Sequence, residues 1–364
     1  MSTLKVGAIR GVSASSDAIT VANDGTCTAN VTSVGGGQLS NRNKIINGEM
    51  VISQRGTSFT STGNEYTVDR FQHQIGSSFN GDTTTTQTDD HPPGFKNSLK
   101  ITPDSTQTPT GSENLALSTQ LEGFDVQDFA HGSSAPKSMT LSFYAKSGSQ
   151  NSNHVYSIQI RKYDASGNRK YVVKPFTVTT SWQRFSFTFT GDTATAIANV
   201  NTVGIQIVWQ LACGPDDLVS ETSTWITSTK FQGVSGMNNF MDNTSNEFFL
   251  TGVQFEVGSV ATDFEHRSFG QELALCQRYY EENTCTWAGF TAAAQGNGSL
   301  QVDYKVAKRV TPTLSTKTAA TSVQNLTSQN LGDATLDRFV VDTRINSSGY
   351  GRFYDLLAAS DAEL

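Results

Sequence analysis

The sequence contains few of the residues that mark disulfide frameworks, metal centres or highly charged surfaces. Only 16% of its 364 residues are charged, and there are 8 prolines and 4 cysteines. The cysteines have neither a paired spacing nor a nearby histidine pair, so we expect neither a zinc site nor a redox motif. Folding in a reducing cytosol argues against a disulfide bridge.

Positive charge is also scarce. Lys and Arg number 26 against 33 Asp and Glu, the formal net charge is −7, and no basic run occurs. We therefore expect no nucleic acid partner. No apolar run approaches the roughly 20 residues of a membrane-spanning helix, and the first residues lack the pattern of a signal peptide. These absences predict synthesis in the cytoplasm without membrane insertion.

Catalytic motifs are missing as well. The sequence has no nucleophile elbow, no phosphate-binding loop and no zinc-protease motif, and its 5 histidines are far apart. Carboxylates do occur in adjacent pairs at 89–90, 216–217 and 281–282. Adjacent strand or loop residues point apart, so these pairs are typical of solvated surface rather than of a glycosidase acid and base. We expect no enzyme.

Neutral polar residues and period-two alternation are abundant instead. Such usage is typical of exposed β proteins, and ten segments bounded by Gly, Asn, Asp or Pro read as strands. They predict an all-β fold, an antiparallel jelly-roll β-sandwich. The segments are 45–53, 66–75, 98–102, 114–121, 138–147, 154–163, 171–178, 183–190, 202–212 and 247–257.

The same patterns divide the chain into four parts. Residues 1–40 form a short N-terminal β stem or attachment segment, and 41–268 form the sandwich. Residues 269–285 form a connecting helix, because Ser268 and Gln271 match a capping box before an apolar stripe. Residues 286–364 form a small C-terminal β domain.

The N-terminal part has too few apolar residues for a core of its own. Its strand patterns near Leu4 and at 18–21, with a turn at 24–25, therefore need partners, and winding about a threefold axis in a homotrimer would supply them. A disordered tail is the alternative. Three glycines at 35–37 read as a linker.

Several motifs together resemble a family of bacteriophage virion proteins, mainly tail fibre and appendage proteins common in marine phages. They are NKIINGEMVISQ at 43–54, VDR at 68–70, WQR at 182–184, TGVQFEVGSVA at 251–261, FEHR at 264–267 and ELALCQRYY at 272–280. The resemblance covers the chain from about residue 41 to its end. It implies a carbohydrate-binding-like sandwich on a virion appendage, but it does not imply a glycan site in this chain. We expect other virion proteins or a host cell-surface polysaccharide as partners.

A glycan site would need an aromatic face beside amides and carboxylates. Trp225 is the one tryptophan outside a strand pattern, and it lies in the polar segment 213–246. Two interpretations are equally supported: its ring covers a sheet, or its ring is exposed for contact with a ligand. The candidate glycan contacts are Trp225, Asp216, Asp217, Asn238, Asn239 and Asp242.

No cofactor is expected, although a structural calcium ion has weak candidates in Asn47, Glu49 and Glu256. The favoured function is a structural virion protein, a tail fibre or appendage subunit. A capsid decoration protein is the alternative, and a polysaccharide depolymerase is disfavoured because no repeat of β-helix length occurs.

Overall fold

The computed structural model describes residues 6–10, 12, 19–24, 27–29, 40–76, 79–227 and 233–364. The first strands are β1 (Ala8–Ile9), β2 (Ile19–Val21) and β3 (Cys27–Ala29). The central strands are β4 (Ser58–Ser61), β5 (Glu65–Tyr66), β6 (Phe71–Gly76), β7 (Thr83–Thr88), β8 (Ser98–Pro103), β9 (Asn114–Glu122), β10 (Met139–Ser147), β11 (Val155–Tyr163), β12 (Arg169–Thr177), β13 (Gln183–Phe189), β14 (Val203–Cys213), β15 (Leu218–Val219), β16 (Ile226–Thr227), β17 (Gly233–Val234) and β18 (Phe248–Val257).

One α-helix follows, α1 (Phe269–Gln277), and three short 3-10 helices lie at Gly123–Phe129, Pro215–Asp217 and Phe240–Asp242. The last strands are β19 (Tyr280–Thr291), β20 (Asn297–Asp303), β21 (Thr313–Thr318), β22 (Thr321–Gln324), β23 (Leu326–Gly332), β24 (Arg338–Ile345) and β25 (Gly349–Asp361).

Two antiparallel sheets form the central sandwich. One has the order β13-β10-β18-β8-β7-β4, and the other has the order β16-β12-β11-β14-β9-β6-β5. Their inner faces enclose a single apolar core that includes Phe143, Trp209 and Phe248, each fully buried. The predicted all-β jelly-roll sandwich is confirmed. Period-two alternation places these residues inward, as the sequence indicates.

The predicted strand at 45–53 is wrong. This stretch is irregular, although Ile45 and Ile52 are buried. Asn47 and Met50 have φ angles of 60° and 59°, in the left-handed region, where an extended strand cannot continue. The Asn47 side chain takes the place of backbone hydrogen bonds to a neighbouring strand, since its Oδ1 accepts from Ile52 N at 2.9 Å and its Nδ2 donates to Ile52 O at 2.8 Å.

Helix α1 begins at the predicted capping box. The Ser268 hydroxyl accepts from Gln271 N, and the Gln271 side chain accepts from Ser268 N at 3.1 Å. The helix ends at Gln277, well before residue 285, because Tyr280 already pairs with Asp361 at the start of β19. The connecting segment 269–285 is therefore part helix and part strand.

Replacing Ser268 by alanine should lower the free energy of unfolding by about 1 kcal/mol, because an N-terminal backbone donor of α1 loses its acceptor. Urea denaturation followed by circular dichroism measures this. The exposed Ser181 serves as the control, and Ser181→Ala should leave the midpoint unchanged. Equal midpoints for the two variants would show that the cap does not stabilise the fold.

The C-terminal domain is a smaller sandwich. Strands β19, β25, β21 and β22 form one sheet, and β20, β24 and β23 form the other. Its own core contains Phe339, Val341 and Phe353, all fully buried. Cys276 and Cys285 are buried free thiols. Among the described residues, no helix is both long and apolar enough to span a membrane.

Strands β1, β2 and β3 form a small antiparallel sheet at the N-terminal end. Among its apolar side chains whose burial is described, Ile9 is 52% exposed and Val21 is 38% exposed, and Val6, just before β1, is 46% exposed. Of the N-terminal residues whose burial is described, none is buried. Leu4 and the glycines at 35–37 lie outside the described residues.

Candidate functional site

Five of the six motifs that carry the resemblance, all except WQR at 182–184, are linked by hydrogen bonds around one buried junction between the two sandwiches. Asn43 Oδ1 accepts from Ile45 N at 2.9 Å and from Phe255 N at 3.1 Å. Asn43 Nδ2 donates to Val253 O at 3.1 Å. Arg267 Nη1 donates to Ile45 O at 2.8 Å. The motifs beginning at residues 43, 251 and 264 are thus joined by direct hydrogen bonds.

A second set of bonds adds the motifs at 68–70 and 272–280. Asn47 Nδ2 donates to Asp69 O at 2.8 Å, and its backbone N–H donates to the Glu272 carboxylate. Gln54 Nε2 donates to Asp69 Oδ2 at 2.6 Å and to Tyr280 O at 2.8 Å. The stretch 43–54 therefore runs between the sandwich and the beginning of the C-terminal domain.

Buried charge completes the junction. The Arg70 guanidinium, 1% exposed, pairs with the carboxylate of Glu363, and it stacks 3.5 Å from the centroid of the Tyr279 ring. Arg55 Nη2 lies 3.2 Å from Glu363 Oε1, and its guanidinium lies 3.6 Å from the Tyr280 ring centroid. Burial opposes the charge of Arg70, but the Glu363 carboxylate outweighs it, so the pKa of Arg70 is raised.

The two residues that follow helix α1 are tied to strand β9 by Glu122. This buried carboxylate accepts two hydrogen bonds from Arg278, each 2.9 Å, and one from Tyr279 Oη at 2.6 Å. Bidentate pairing of this kind fixes orientation as well as distance. The junction can hold two domains in one relative position.

Four of the predicted glycan contacts lie near the start of β11, at one end of the seven-stranded sheet, and their side chains are hydrogen-bonded to neighbouring parts of the chain. Asn238 Oδ1 accepts from Val155 N at 2.8 Å. Asn239 Nδ2 donates to Gln107 O at 2.6 Å. Asp242 and Asp217 complete this group.

Asp242 Oδ1 accepts from Asn246 Nδ2 at 2.7 Å. Asp217 is buried, and its Oδ1 accepts from Ser112 Oγ at 3.4 Å. Asp216 lies at the same end and is exposed to solvent. The side chains of Asn238, Asn239, Asp242 and Asp217 thus take part in hydrogen bonds within the chain.

Trp225 lies at the opposite end of that sheet. The adjoining strand β16 pairs Thr227 with Lys170, whereas Val155 pairs with Thr177 at the far end of β12. Seven residues of strand separate the two ends by roughly 23 Å. The structure therefore does not bring Trp225 together with the other five candidates as one site.

The Trp225 ring is half-buried and packs on the core. It meets His131 edge to face at 5.4 Å between centroids, and its Nε1 donates to Thr190 O at 2.8 Å. Burial lowers the pKa of His131 to about 4, and the nearby Lys162 ammonium adds to the shift. His131 is therefore neutral in the folded chain near neutral pH.

This histidine should make the fold sensitive to mild acid. The unfolded chain binds its proton near pH 6.5 and the folded chain only near pH 4. The stability contributed by the neutral ring is thus present above pH 6.5 and lost as the pH falls to about 4, by roughly 3 kcal/mol. Urea denaturation across this range measures the loss.

The variant His131→Gln should flatten that pH dependence, because it cannot titrate there. The exposed His91 is the matched control, and His91→Gln should keep the wild-type slope. An unchanged slope in His131→Gln would contradict the assignment.

The three calcium candidates are held by different partners. Glu49 Oε1 lies 2.7 Å from His266 Nδ1, and Glu256 accepts from Thr262 N at 3.0 Å and Thr262 Oγ1 at 2.7 Å. Asn47 is engaged with backbone groups, as above. Within the ranges that the structure describes, no group of three or more His, Cys, Asp or Glu side chains is placed to hold a metal ion.

Sequence reasoning missed a polar row on the outer face of the seven-stranded sheet. Gln74 Nε2 donates to Gln72 Oε1 at 2.9 Å on β6. Gln206 Oε1, on β14, accepts from Tyr163 Oη at 3.1 Å and from Arg161 at 3.3 Å on β11. The signal in the sequence was a polar residue at every second position of these strands. The same pattern is typical of any sheet face that contacts solvent, so it did not indicate this row.

Two grooves adjoin at helix α1. One has a volume of about 610 Å³ and the other about 470 Å³, and Arg267 and Leu275 line both. Phe124 borders the second groove and is 51% exposed.

No family model and no curated protein matches the sequence. Solved structures give distant likenesses in fold. The family 11 carbohydrate-binding module of Clostridium thermocellum, solved with a mixed-linked tetrasaccharide, has a TM-score of 0.31 and 13% identity, covering 57% of this chain and 98% of the module. A xylan-binding domain from Paenibacillus barcinonensis has a TM-score of 0.29 and 11% identity, covering 61% and 100%.

The enzymatically active domain of tailspike protein 4 from bacteriophage CBA120 has a TM-score of 0.29 and 11% identity. That match covers 59% of this chain and 21% of the tailspike domain, so this chain spans about a fifth of it. Scores and identities this low transfer no function to this chain.

Proposed function

We propose that the chain is a structural, non-enzymatic subunit of a bacteriophage virion appendage such as a tail fibre. It serves attachment, to a host-surface glycan or to another virion protein. One observation carries the proposal: motifs that resemble the phage family and are far apart in sequence, such as those containing Asn43, Arg70 and Tyr280, converge on the buried junction. Residues that fix the relative position of two domains are expected in a structural component.

The proposal includes a threefold assembly. Its support is the N-terminal sheet, whose Val6, Ile9 and Val21 are exposed in the single chain. Three copies wound together would cover these side chains, and burying apolar area at about 25 cal/mol per Å² would stabilise the assembly. Native mass spectrometry should give three chains, and removal of residues 1–37 should give one folded chain.

Adsorption tests the attachment role. Host cells are saturated with the purified chain before the phage that encodes it is added. Free phage should then disappear more slowly than after treatment with the heat-unfolded chain. Equal adsorption rates would overturn contact with the host surface.

A further inference from the structure

The WQR motif at 182–184 is not among those joined at the junction, and it lies beside the outer face of the six-stranded sheet. Tyr144 on β10 points outward, because its neighbour Phe143 points into the core. Arg184 on β13 pairs with Tyr144, and directly opposite residues share a face. Trp182 immediately precedes β13, and its ring centroid lies 6.1 Å from that of Phe249. The motif therefore adds an arginine and a tryptophan to one side of the sheet.

Two loops bring further rings to Tyr144. Phe95, between β7 and β8, has its ring centroid 5.3 Å from that of Tyr144. Phe264 and His266, in the segment before helix α1, lie 5.1 Å and 5.5 Å from the Phe95 ring. The rings of Tyr144, Phe95 and Phe264 are half-buried, and His266 is exposed. These rings form one contiguous group in which each keeps some surface in contact with solvent.

Gly252 allows two of these rings to lie against the sheet. Its φ angle is 59°, in the region that favours glycine, and the pairing of β10 with β18 shifts register beside it. A Cβ atom at this position would lie 2.7 Å from Phe95 Cζ and 2.9 Å from Tyr144 Cδ2. The rings are thus packed closely on the backbone before any ligand binds. A surface fixed in advance loses little conformational entropy on binding.

The lysines beside the rings are paired with carboxylates. Lys146 forms an ion pair with Asp90, whose Oδ1 also accepts from Trp182 Nε1 at 3.1 Å. Lys100 Nζ lies 3.3 Å from Glu247 Oε1. Because a carboxylate already neutralises each lysine, electrostatic complementarity favours a neutral ligand here over an ionic one.

Hydrogen-bonding groups border the rings. Arg184 is exposed, and its Nη2 donates to Ser142 Oγ at 3.1 Å and to Thr262 O, which holds the guanidinium beside Tyr144. A guanidinium has five N–H donors, so its other donors can reach a ligand. Ser186 is exposed two residues further along β13, on the same face. Ring surface bordered by such groups matches a sugar, whose apolar C–H face is rimmed by hydroxyls.

We propose that this outer face binds a neutral polysaccharide. Sugar rings stack on Tyr144 and Trp182, and Arg184 donates to their hydroxyl groups. Phe249, which contacts Trp182, pairs with Lys146, two positions and roughly 7 Å along β10 from Tyr144. The two stacking positions are therefore spread along the strand, which suits successive units of a polysaccharide. The inference rests on the proposed attachment function for the source of that polysaccharide.

Affinity gel electrophoresis of the full chain tests the proposal, in native gels that contain hydroxyethylcellulose, lichenan, galactomannan or dextran. At least one of these neutral polysaccharides should slow the chain relative to a gel without polysaccharide. Tyr144→Ala should weaken binding to that polysaccharide by about tenfold, because a stacking ring is lost. Tyr144→Phe keeps the ring and should bind within about twofold of the wild type.

Tyr350→Ala is the matched control. Tyr350 lies on β25 of the C-terminal domain and is 69% exposed, so its replacement should leave both fold and binding unchanged. Arg184→Gln provides a second variant at an exposed position, and it should weaken binding by about fivefold or more. Circular dichroism checks that each variant is folded.

Three results would overturn the proposal: equal mobility with and without each of the four polysaccharides, equal weakening in Tyr144→Ala and Tyr350→Ala, or loss of binding in Tyr144→Phe. An altered oligomeric state of Tyr144→Ala with unaltered binding, measured by native mass spectrometry, would instead assign the face to contact between chains. Locating the chain on the particle is a separate measurement, so failure of the sugar site and failure of the proposed function are distinguishable.

Discussion

Replacing Arg70 by methionine should lower the free energy of unfolding by roughly 3–5 kcal/mol, because Glu363 would remain as a buried carboxylate without its closest cation. Arg70 is 1% exposed and Glu363 side-chain exposure is 5%, so water cannot compensate. Urea denaturation measures the loss. Limited proteolysis should also cut more readily between the two domains.

The double variant Arg70→Met with Glu363→Met distinguishes loss of the ion pair itself from the cost of leaving the Glu363 carboxylate buried without its partner. Replacing both members of a buried pair by apolar residues is often close to neutral, so the double variant should recover much of the loss. Arg338, which donates to Gln301 on the exposed surface, provides the control. Arg338→Met should change stability by less than about 0.5 kcal/mol. A similarly small change for Arg70→Met would contradict the junction as described.

Phe143→Ala should cost roughly 3–5 kcal/mol, because it removes a fully buried ring from the centre of the sandwich core. Ring centroids of Phe176 and Trp209 lie 5.4 Å and 5.6 Å from that of Phe143. Thermal and urea unfolding measure the change.

Phe187 is the comparison, since it packs on Phe143 at 6.2 Å but is only half-buried on the edge strand β13. Phe187→Ala should cost about 1–2 kcal/mol. Equal losses in the two variants would mean that β13 is buried as deeply as the centre of the sheet.

Period-two alternation was enough to predict which side chains point toward the core, but it could not predict how deeply each side chain is buried. Phe185, Phe187 and Phe189 do point toward the core, yet only Phe189 is fully covered, because β13 is an edge strand. Sheet order depends on long-range pairing, which a local pattern does not contain. The strand β7 was missed for a related reason, since its run of threonines shows no alternation of apolar residues.

Positive-φ residues account for the error at 45–53. The apolar pattern of that stretch is correct, but Asn47 turns the chain and uses its side chain to replace strand pairing. The candidate site shows the same limit. Trp225 and Asn238 are close in sequence, yet the contacts of the described residues beside them place the two at opposite ends of the sheet.

The position of Lys162 opposite Lys170 could not be predicted from local sequence patterns either. Lys162 and Lys170 are eight positions apart and do not form a run, and only the register of β11 with β12 places them opposite each other. Asp192 comes from a third segment. A hairpin prediction with a defined register could have found the lysine pair, but not its carboxylate partner.

The most direct test of the proposed function is the location of the chain on the particle. Antibodies against the purified chain, labelled with gold, are applied to virions of the phage that encodes it and viewed by electron microscopy. Label on the tail fibres or another appendage is the predicted result. Particles without label, or label spread over the capsid shell as for a decoration protein, would contradict it.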